Sequence, residues 1–364
     1  MAIRLWCAIS GHGYGHFAQL APILRLLHQW RPDMEFQLAG GPPTAIMASR
    51  LGFPFLHDPR HRDVGLVQQG AIQVDLPATR HALASLHHSW SHWLQEEITA
   101  MAHWRPDLVL ANIPYLSLMA ADHLAIPTVA IASLTWDKVI TAYFGQQNKD
   151  ISPWLEQMTN AYGHTQLALL PEPALPNPPF SNCQFIPPIT NPGTQKREQL
   201  RQELHISPQD NRPLVFVSFG GIPTEFPDIH ALAAEQQVLW LVNFPHIPKE
   251  DNLYHLDQLD HWSHSDITAS VDAMVGKPGY GMVVEAVASG IPFLYLRRYT
   301  FPDEDVLCPW LHRHGRGLEL DQATFWSGRW LPALQHLWSQ PPPPIPAMNG
   351  AQVAAEKIIS LLPP

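Results

Sequence analysis

Short apolar runs alternate with amphipathic stretches along the chain. Residues 3–9 form an apolar-rich run and predict a first strand. Residues 17–30 carry Leu20, Ile23, Leu24 and Leu27 at helical spacing. The same alternation predicts strands at 35–39, 53–55, 106–111, 127–132 and 167–170, with helices at 44–51, 78–103, 113–123 and 154–166. Residues 171–192 are crowded with proline, which resists regular structure and marks a connection. Beyond it, 214–221 reads as a second strand-and-loop unit. Further strands are expected at 238–242, 270–275 and 291–296, and helices at 196–204, 226–235, 282–288, 324–338 and 350–362. The rigid proline run at 341–344 suits a tail that crosses back to the first half.

Strand, glycine turn and helix in repeated order predict an α/β protein with parallel sheets. The 364 residues suffice for two cores. The expected division is 1–185, 186–345 and a final helical segment 346–364.

Charge narrows the function classes. Lys and Arg total 22 against 32 Asp and Glu, a formal charge of −10, which argues against a general nucleic-acid binder. Cys7, Cys183 and Cys308 lie far apart without metal spacing and read as reduced thiols. No apolar run approaches a membrane span and no signal organisation is evident, so the expectation is a cytoplasmic protein, with peripheral membrane contact left open. The histidines at 81, 87, 88, 92 and 103 fit a polar helix face with some satisfied interior imidazoles, without a metal motif.

Two glycine loops carry the candidate chemistry. Ser10-Gly11-His12-Gly13-Tyr14-Gly15-His16 follows the first strand, but two histidines and the glycine spacing separate it from the dinucleotide fingerprint. Gly276-Lys277-Pro278-Gly279-Tyr280-Gly281 precedes a helix whose free N–H groups favour a phosphate. Glu285, four residues after Gly281, is placed to accept ribose hydroxyls. Together these features point to a sugar-nucleotide site. Asp137 follows the 127–132 strand in a polar, aromatic loop where ligands are commonly met; capping of the next helix is the alternative.

The stretches 10–16, 70–75, 133–137, 276–281 and 292–298 resemble the two-domain GT-B glycosyltransferases. Within that group, the resemblance is closest to the glycosyltransferase-like N-terminal region of plant arabinose-type sugar kinases and its free-standing bacterial relatives. It spans nearly the whole chain and leaves a kinase portion without a counterpart. It implies two Rossmann-like domains facing across a cleft, the first on the acceptor side and the second holding a nucleotide-diphosphate sugar, UDP-linked. No cofactor or metal is implied.

By the same resemblance, Gly279, Tyr280 and Gly281 meet the diphosphate and Glu285 the ribose. Ser218, Gly220 and Gly221 approach the phosphates, Lys277 compensates charge, and Asp303 and Glu304 are candidates for sugar hydroxyls. His16 is the first candidate base, His12 the second, and Asp137 orients a base or serves as one. Imidazole suits the role because it titrates near neutrality. The expected activity is transfer of a sugar to an acceptor hydroxyl that the sequence does not identify. Alternatives are a nucleotide-sugar epimerase or hydrolase, and a sugar-nucleotide-binding module without turnover.

Overall fold

The computed structural model describes residues 2–363 except Arg62, Ala71, Gln146, residues 221–227, Pro245 and Asp260. In chain order the first strands are β1 (Arg4–Ile9), β2 (Glu35–Gly40), β3 (Leu56–Asp58), the small hairpin β4 (Gln68–Gln69) and β5 (Gln73–Val74), β6 (Leu108–Asn112), β7 (Thr128–Ile131), β8 (Leu167–Pro171) and β9 (Cys183–Ile186). Apart from the hairpin they form one parallel sheet in the order β3-β2-β1-β6-β7-β8-β9. The second set is β10 (Leu214–Ser218), β11 (Leu239–Val242), β12 (Leu253–His255), β13 (Ala273–Gly276), β14 (Phe293–Tyr295) and β15 (Gly317–Glu319). It forms a second parallel sheet, β12-β11-β10-β13-β14-β15.

Both faces of each sheet are covered, which explains the near-continuous apolar runs. Along β1, Leu5, Cys7 and Ile9 enter one core while Trp6 and Ala8 enter another. Along β10, Leu214 and Phe216 divide from Val215 and Val217 in the same way. Strand order reverses between β1 and β6 and again between β10 and β13. Open α/β sheets bind ligands at the carboxyl ends of strands flanking such a reversal. The two glycine loops lie there, after β1 and after β13.

The last helix, Gly350–Leu361, buries Ala351, Ala354, Ala355 and Ile358 in the first unit's core, against helix Gly15–Trp30. The expected return crossing is therefore present. It runs beside the outgoing connection, where Ile189 and Asn349 form an antiparallel bridge. Tyr280 ties the connection to the second unit: its hydroxyl accepts from Ile189 N at 3.0 Å and donates to Glu172 O at 3.1 Å. Tyr280→Phe is expected to cost about 1–2 kcal/mol in urea denaturation by deleting both bonds. An unchanged midpoint would count against this tie.

On the other side of the cleft the units exchange side chains. Phe301 of the second unit is buried in the core containing Trp6 and Trp136, and Ile72 of the first packs on the core containing Phe219.

Several predicted elements differ. The 78–103 helix is two, Leu76–His88 and Trp90–Trp104, because Ser89 leaves helical geometry at φ −98°, ψ 18°. The 324–338 helix is also two, Gln322–Trp326 and Leu331–Trp338, separated by Gly328 at φ +68°. The 53–55 strand lies instead at Leu56–Asp58, with Phe53 turned into the core. Ser270 ends helix His264–Ser270, which Ser263 caps, so β13 starts later than expected. Strands β9, β12 and β15 and helix Glu304–His314 carry no pattern strong enough to have been predicted.

Candidate active site

The β1 loop delivers His12 and His16 to the first reversal point. His16 Nδ1 lies 2.7 Å from Asn112 Oδ1 at the end of β6. Asn112 Nδ2 donates to Gln19 Oε1 at 2.8 Å, and Gln19 Nε2 donates to Ser133 Oγ at 2.9 Å. This relay orients the Asn112 amide with its oxygen toward His16. His16 Nδ1 therefore carries the hydrogen, and in the neutral ring Nε2 is an acceptor with no hydrogen-bond partner among the described residues. Burial lowers the His16 pKa, against the Asn112 hydrogen bond and the Asp63 charge. Asp63, buried, accepts Trp136 Nε1–H at 2.7 Å.

His12 stands edge-on to Trp136 and stacks with Phe301 from the second unit, with centroids 5.2 and 6.4 Å away. Its pKa is pushed down to about 3, first by burial and then by the charges of His16, Lys277 and Arg298. Gly65 permits the covering segment to approach: a Cβ there would lie 2.7 Å from Trp136 and 2.9 Å from His12. Asp137 is buried in the first turn of helix Trp136–Phe144, where burial raises its carboxyl and its Oδ1 has no hydrogen-bond partner among the described residues. The carboxylate whose charge reaches His16 is Asp63. Asp75, in the resembling 70–75 stretch, caps helix Leu76–His88.

Across the cleft, Gly279 is the N-cap of helix Tyr280–Ala288 and supplies no side-chain cap, leaving Gly281 in the first turn. Gly276 lets this turn close on β10, since a Cβ would sit 2.0 Å from Ser218 O. Burial, then the Arg298 cation, pushes Lys277 down to about 8, opposed by Asp303 and Glu304. The Lys277 cation thus disfavours the charged form of His12 across the cleft. Gly220 turns at φ +73° and donates to Ser218 Oγ at 3.3 Å; Gly221 lies outside the described residues.

Glu285 Oε2 is 2.7 Å from His264 Nδ1, and His264 Nε2 is 3.5 Å from Ser218 Oγ. A cavity of about 190 Å³ between the units is lined by Gly15, Gln19 and Arg25 on one side and His264, Gly281 and Glu285 on the other. Tyr280 also reaches this cavity, with its hydroxyl engaged as described above.

Asp303 and Glu304 divide. Glu304 is fully buried and accepts Arg298 N at 2.7 Å and Arg298 Nε at 2.5 Å. Asp303 begins the same helix without a capping bond, and its buried Oδ1 has no hydrogen-bond partner among the described residues. Burial pushes its carboxyl from the usual 3.8 up to about 7; Arg298 and Lys277 oppose that shift, and Glu304 adds to it. The folded chain thus holds this proton more tightly than the unfolded chain. That contribution is complete below about pH 4 and is lost as the pH rises through about 7. Asp303→Asn is expected to raise stability relative to the parent at about pH 8 and not at about pH 4. Parallel urea midpoints across that range would remove Asp303 as the cause.

Sequence reasoning missed Asp63, Asn112, Gln19 and His264. Asn112 had one available signal, its place at the end of the 106–111 strand. The helical histidine His87 is satisfied by Gln157 and Tyr115 and stacks on Trp90 and Trp154. Among the described residues no His, Cys, Asp and Glu group has a metal-holding arrangement, and no helix is long and apolar enough to cross a membrane.

No family model matches the chain. It is 25% identical over 362 residues to an L-arabinokinase of Arabidopsis thaliana, covering 95% of this chain and 33% of that protein, so it spans about a third of the relative's length. Among solved structures it resembles the glycotransferase of kitacinnamycin, with TM-score 0.65, 16% identity and 99% of each chain covered. The calicheamicin glycosyltransferase CalG4 gives TM-score 0.61 at 16% identity, over 99% of this chain and 98% of that one. Arabidopsis thaliana UGT89C1 complexed with UDP gives 0.61 at 15%, over 98% and 94%. The chain has the GT-B fold, with two α/β units facing across a cleft, and is distantly related to part of the plant kinase.

Proposed function

We propose that this protein is a glycosyltransferase that moves a sugar from a nucleotide-diphosphate sugar to an acceptor hydroxyl. In this reading residues 1–185 form the acceptor side, 186–345 the donor side, and 346–364 pack back on the first unit. The observation that carries it is the cavity between the units, lined by Gly15 of the first loop and Gly281 of the second, with the neighbouring His16 oriented by Asn112.

His16 Nε2 takes the proton of the acceptor hydroxyl as its oxygen attacks the anomeric carbon. The bond from that carbon to the diphosphate oxygen breaks, and the nucleoside diphosphate leaves. The N–H groups at Tyr280 to Met282 and the Lys277 ammonium meet the charge gathering on it. Ser218 and Gly220 flank the phosphates, and Glu285 meets the ribose. Asp303, whose buried Oδ1 has no hydrogen-bond partner among the described residues, is the sugar-hydroxyl contact; Glu304 holds Arg298 in place. His12 packs beside the reacting centre, Asp137 supports the Trp136 loop, and UDP is the favoured carrier, in keeping with the bound UDP of one structural neighbour.

The test is a panel of UDP-, dTDP-, GDP- and ADP-sugars, pentoses included, scored by calorimetry and then by diphosphate release with candidate acceptors. Saturable binding and acceptor-dependent release are expected. Binding without release under every acceptor would favour the non-catalytic module, and absence of binding would end the donor-site reading.

A further inference from the structure

In the proposed mechanism the acceptor stands beside His16, and its chemical class is open. The walls around the first loop narrow it. A Cβ on Gly11 would strike the His61 ring, and one on Gly65 would lie 2.7 Å from Trp136 and 2.9 Å from His12, so a covering segment comes down on the loop at both places. Phe301, from the second unit, lies against His12 with the two rings 16° from parallel. It is fixed there. The Arg298 guanidinium sits over its ring, 4.0 Å from the centroid, and the Tyr143 ring stands edge-on at 6.4 Å. Thr300 Oγ1 donates to the Tyr143 hydroxyl at 3.2 Å. Tyr143 belongs to helix Trp136–Phe144, so residues 298–301 of the second unit are fastened to the helix that carries Trp136.

The aromatic rings of this wall are thus taken up by the protein itself. Trp136 is 0% exposed and Phe301 5%. A planar aromatic acceptor draws much of its affinity from stacking, and neither ring offers it a face. The groups without a hydrogen-bond partner among the described residues are polar: His16 Nε2 on one side and Asp303 Oδ1 on the other. Such groups engage hydroxyls. We propose that Phe301 is a specificity-determining residue: it fills the place where an aromatic acceptor would stack beside His12 and Trp136, so the acceptor is a single-ring polyol, such as a monosaccharide, and planar aromatic alcohols are excluded. The inference rests on the glycosyltransferase reading and adds the acceptor class. Discrimination of this kind comes from a clash built against the wrong substrate, and removing the clashing ring relaxes it.

The test combines the best donor of the nucleotide-sugar panel with D-glucose, D-xylose and myo-inositol as polyol acceptors and with 4-methylumbelliferone as a planar aromatic one. In the aromatic reaction the phenol oxygen bonds the anomeric carbon, its proton passes to His16 and the nucleoside diphosphate leaves; fluorescence falls as the glycoside forms. The wild-type protein is expected to turn over 4-methylumbelliferone at less than about a tenth of its rate with the best polyol, and Phe301→Ala to raise the umbelliferone rate about tenfold or more. Phe301→Leu, which keeps more of the apolar packing, should lie between. Calorimetric donor affinity reports whether each variant keeps its donor site. Wild-type turnover of umbelliferone as fast as that of the best polyol overturns the inference, as does a variant that keeps donor affinity without gaining umbelliferone product. Loss of donor affinity in both variants makes Phe301 a contact that holds the units together, and overturns it too. In each of these cases the donor-site reading stands. Failure of every nucleotide sugar to bind the wild-type protein overturns that reading and this inference with it.

Discussion

His16→Ala lowers turnover by a factor of about 10²–10⁴ while leaving the donor nucleotide's dissociation constant unchanged. The expectation comes from the ring's two nitrogens having different neighbours. Nδ1 is committed to Asn112, and the amide is oriented through Gln19 and Ser133, so Nε2 is the acceptor with no hydrogen-bond partner among the described residues. In the proposed function the donor meets the turn at Gly279–Gly281 of the other unit, so truncating His16 is expected to remove a proton acceptor without removing a donor contact. The measurement is steady-state diphosphate release beside calorimetric donor affinity. Wild-type turnover in the variant would end the assignment of His16 as base. A loss of donor affinity matching the loss of turnover would make it a binding residue instead.

Glu304→Ala destabilises the fold by about 3–5 kcal/mol, the cost of stranding a buried charge. The Arg298 side chain is 4% exposed and Glu304 0%, and both carboxylate oxygens face Arg298. Without Glu304 the nearest carboxylate oxygen to the guanidinium is Asp303 Oδ1 at 3.9 Å, too far for a hydrogen bond. Arg298 also lies over the Phe301 ring, 4.0 Å from its centroid, and Phe301 is the side chain inserted into the first unit. Loosening Arg298 therefore loosens the packing of Phe301 against the first unit. Urea denaturation gives the stability, and Glu304→Gln, which keeps one acceptor oxygen, should fall between the two. A loss below about 1 kcal/mol would mean the pair behaves like an exposed one.

Much of the architecture was legible because its signals are local. β1, β2, β6, β7, β10 and β11 are short apolar runs bounded by glycine, proline or polar residues, and both glycine loops are contiguous in the chain. Beyond strand boundaries that shifted by a few residues and the unpredicted helix Glu304–His314, what failed was of two kinds. Helix breaks at Ser89 and Gly328 interrupt patterns that look continuous when only apolar positions are counted. The strands β9, β12 and β15 are short outer strands with weak patterns, and β9 and β12 close one edge of each sheet. The site divides likewise. Glu285 was singled out as a candidate by its spacing to the glycine turn, but its hydrogen-bond partner His264 is 21 residues away. Asp63 and Trp136 are separated by 73 residues, and His16 and Asn112 by 96.

By itself, then, the chain dictated which segments become strand, turn and helix, and that two glycine loops end strands and open helices. Those properties follow from side-chain volume, polarity and backbone freedom over a few neighbours. Which groups share a pocket was decided only in three dimensions. Strand order alone sets β6 beside β1, and thereby Asn112 beside His16. The docking of the two units alone sets Phe301 against His12. Both Asp303 and Glu304 are buried, and only the position of Arg298 separates Glu304, which it hydrogen-bonds, from its sequence neighbour Asp303, which it does not.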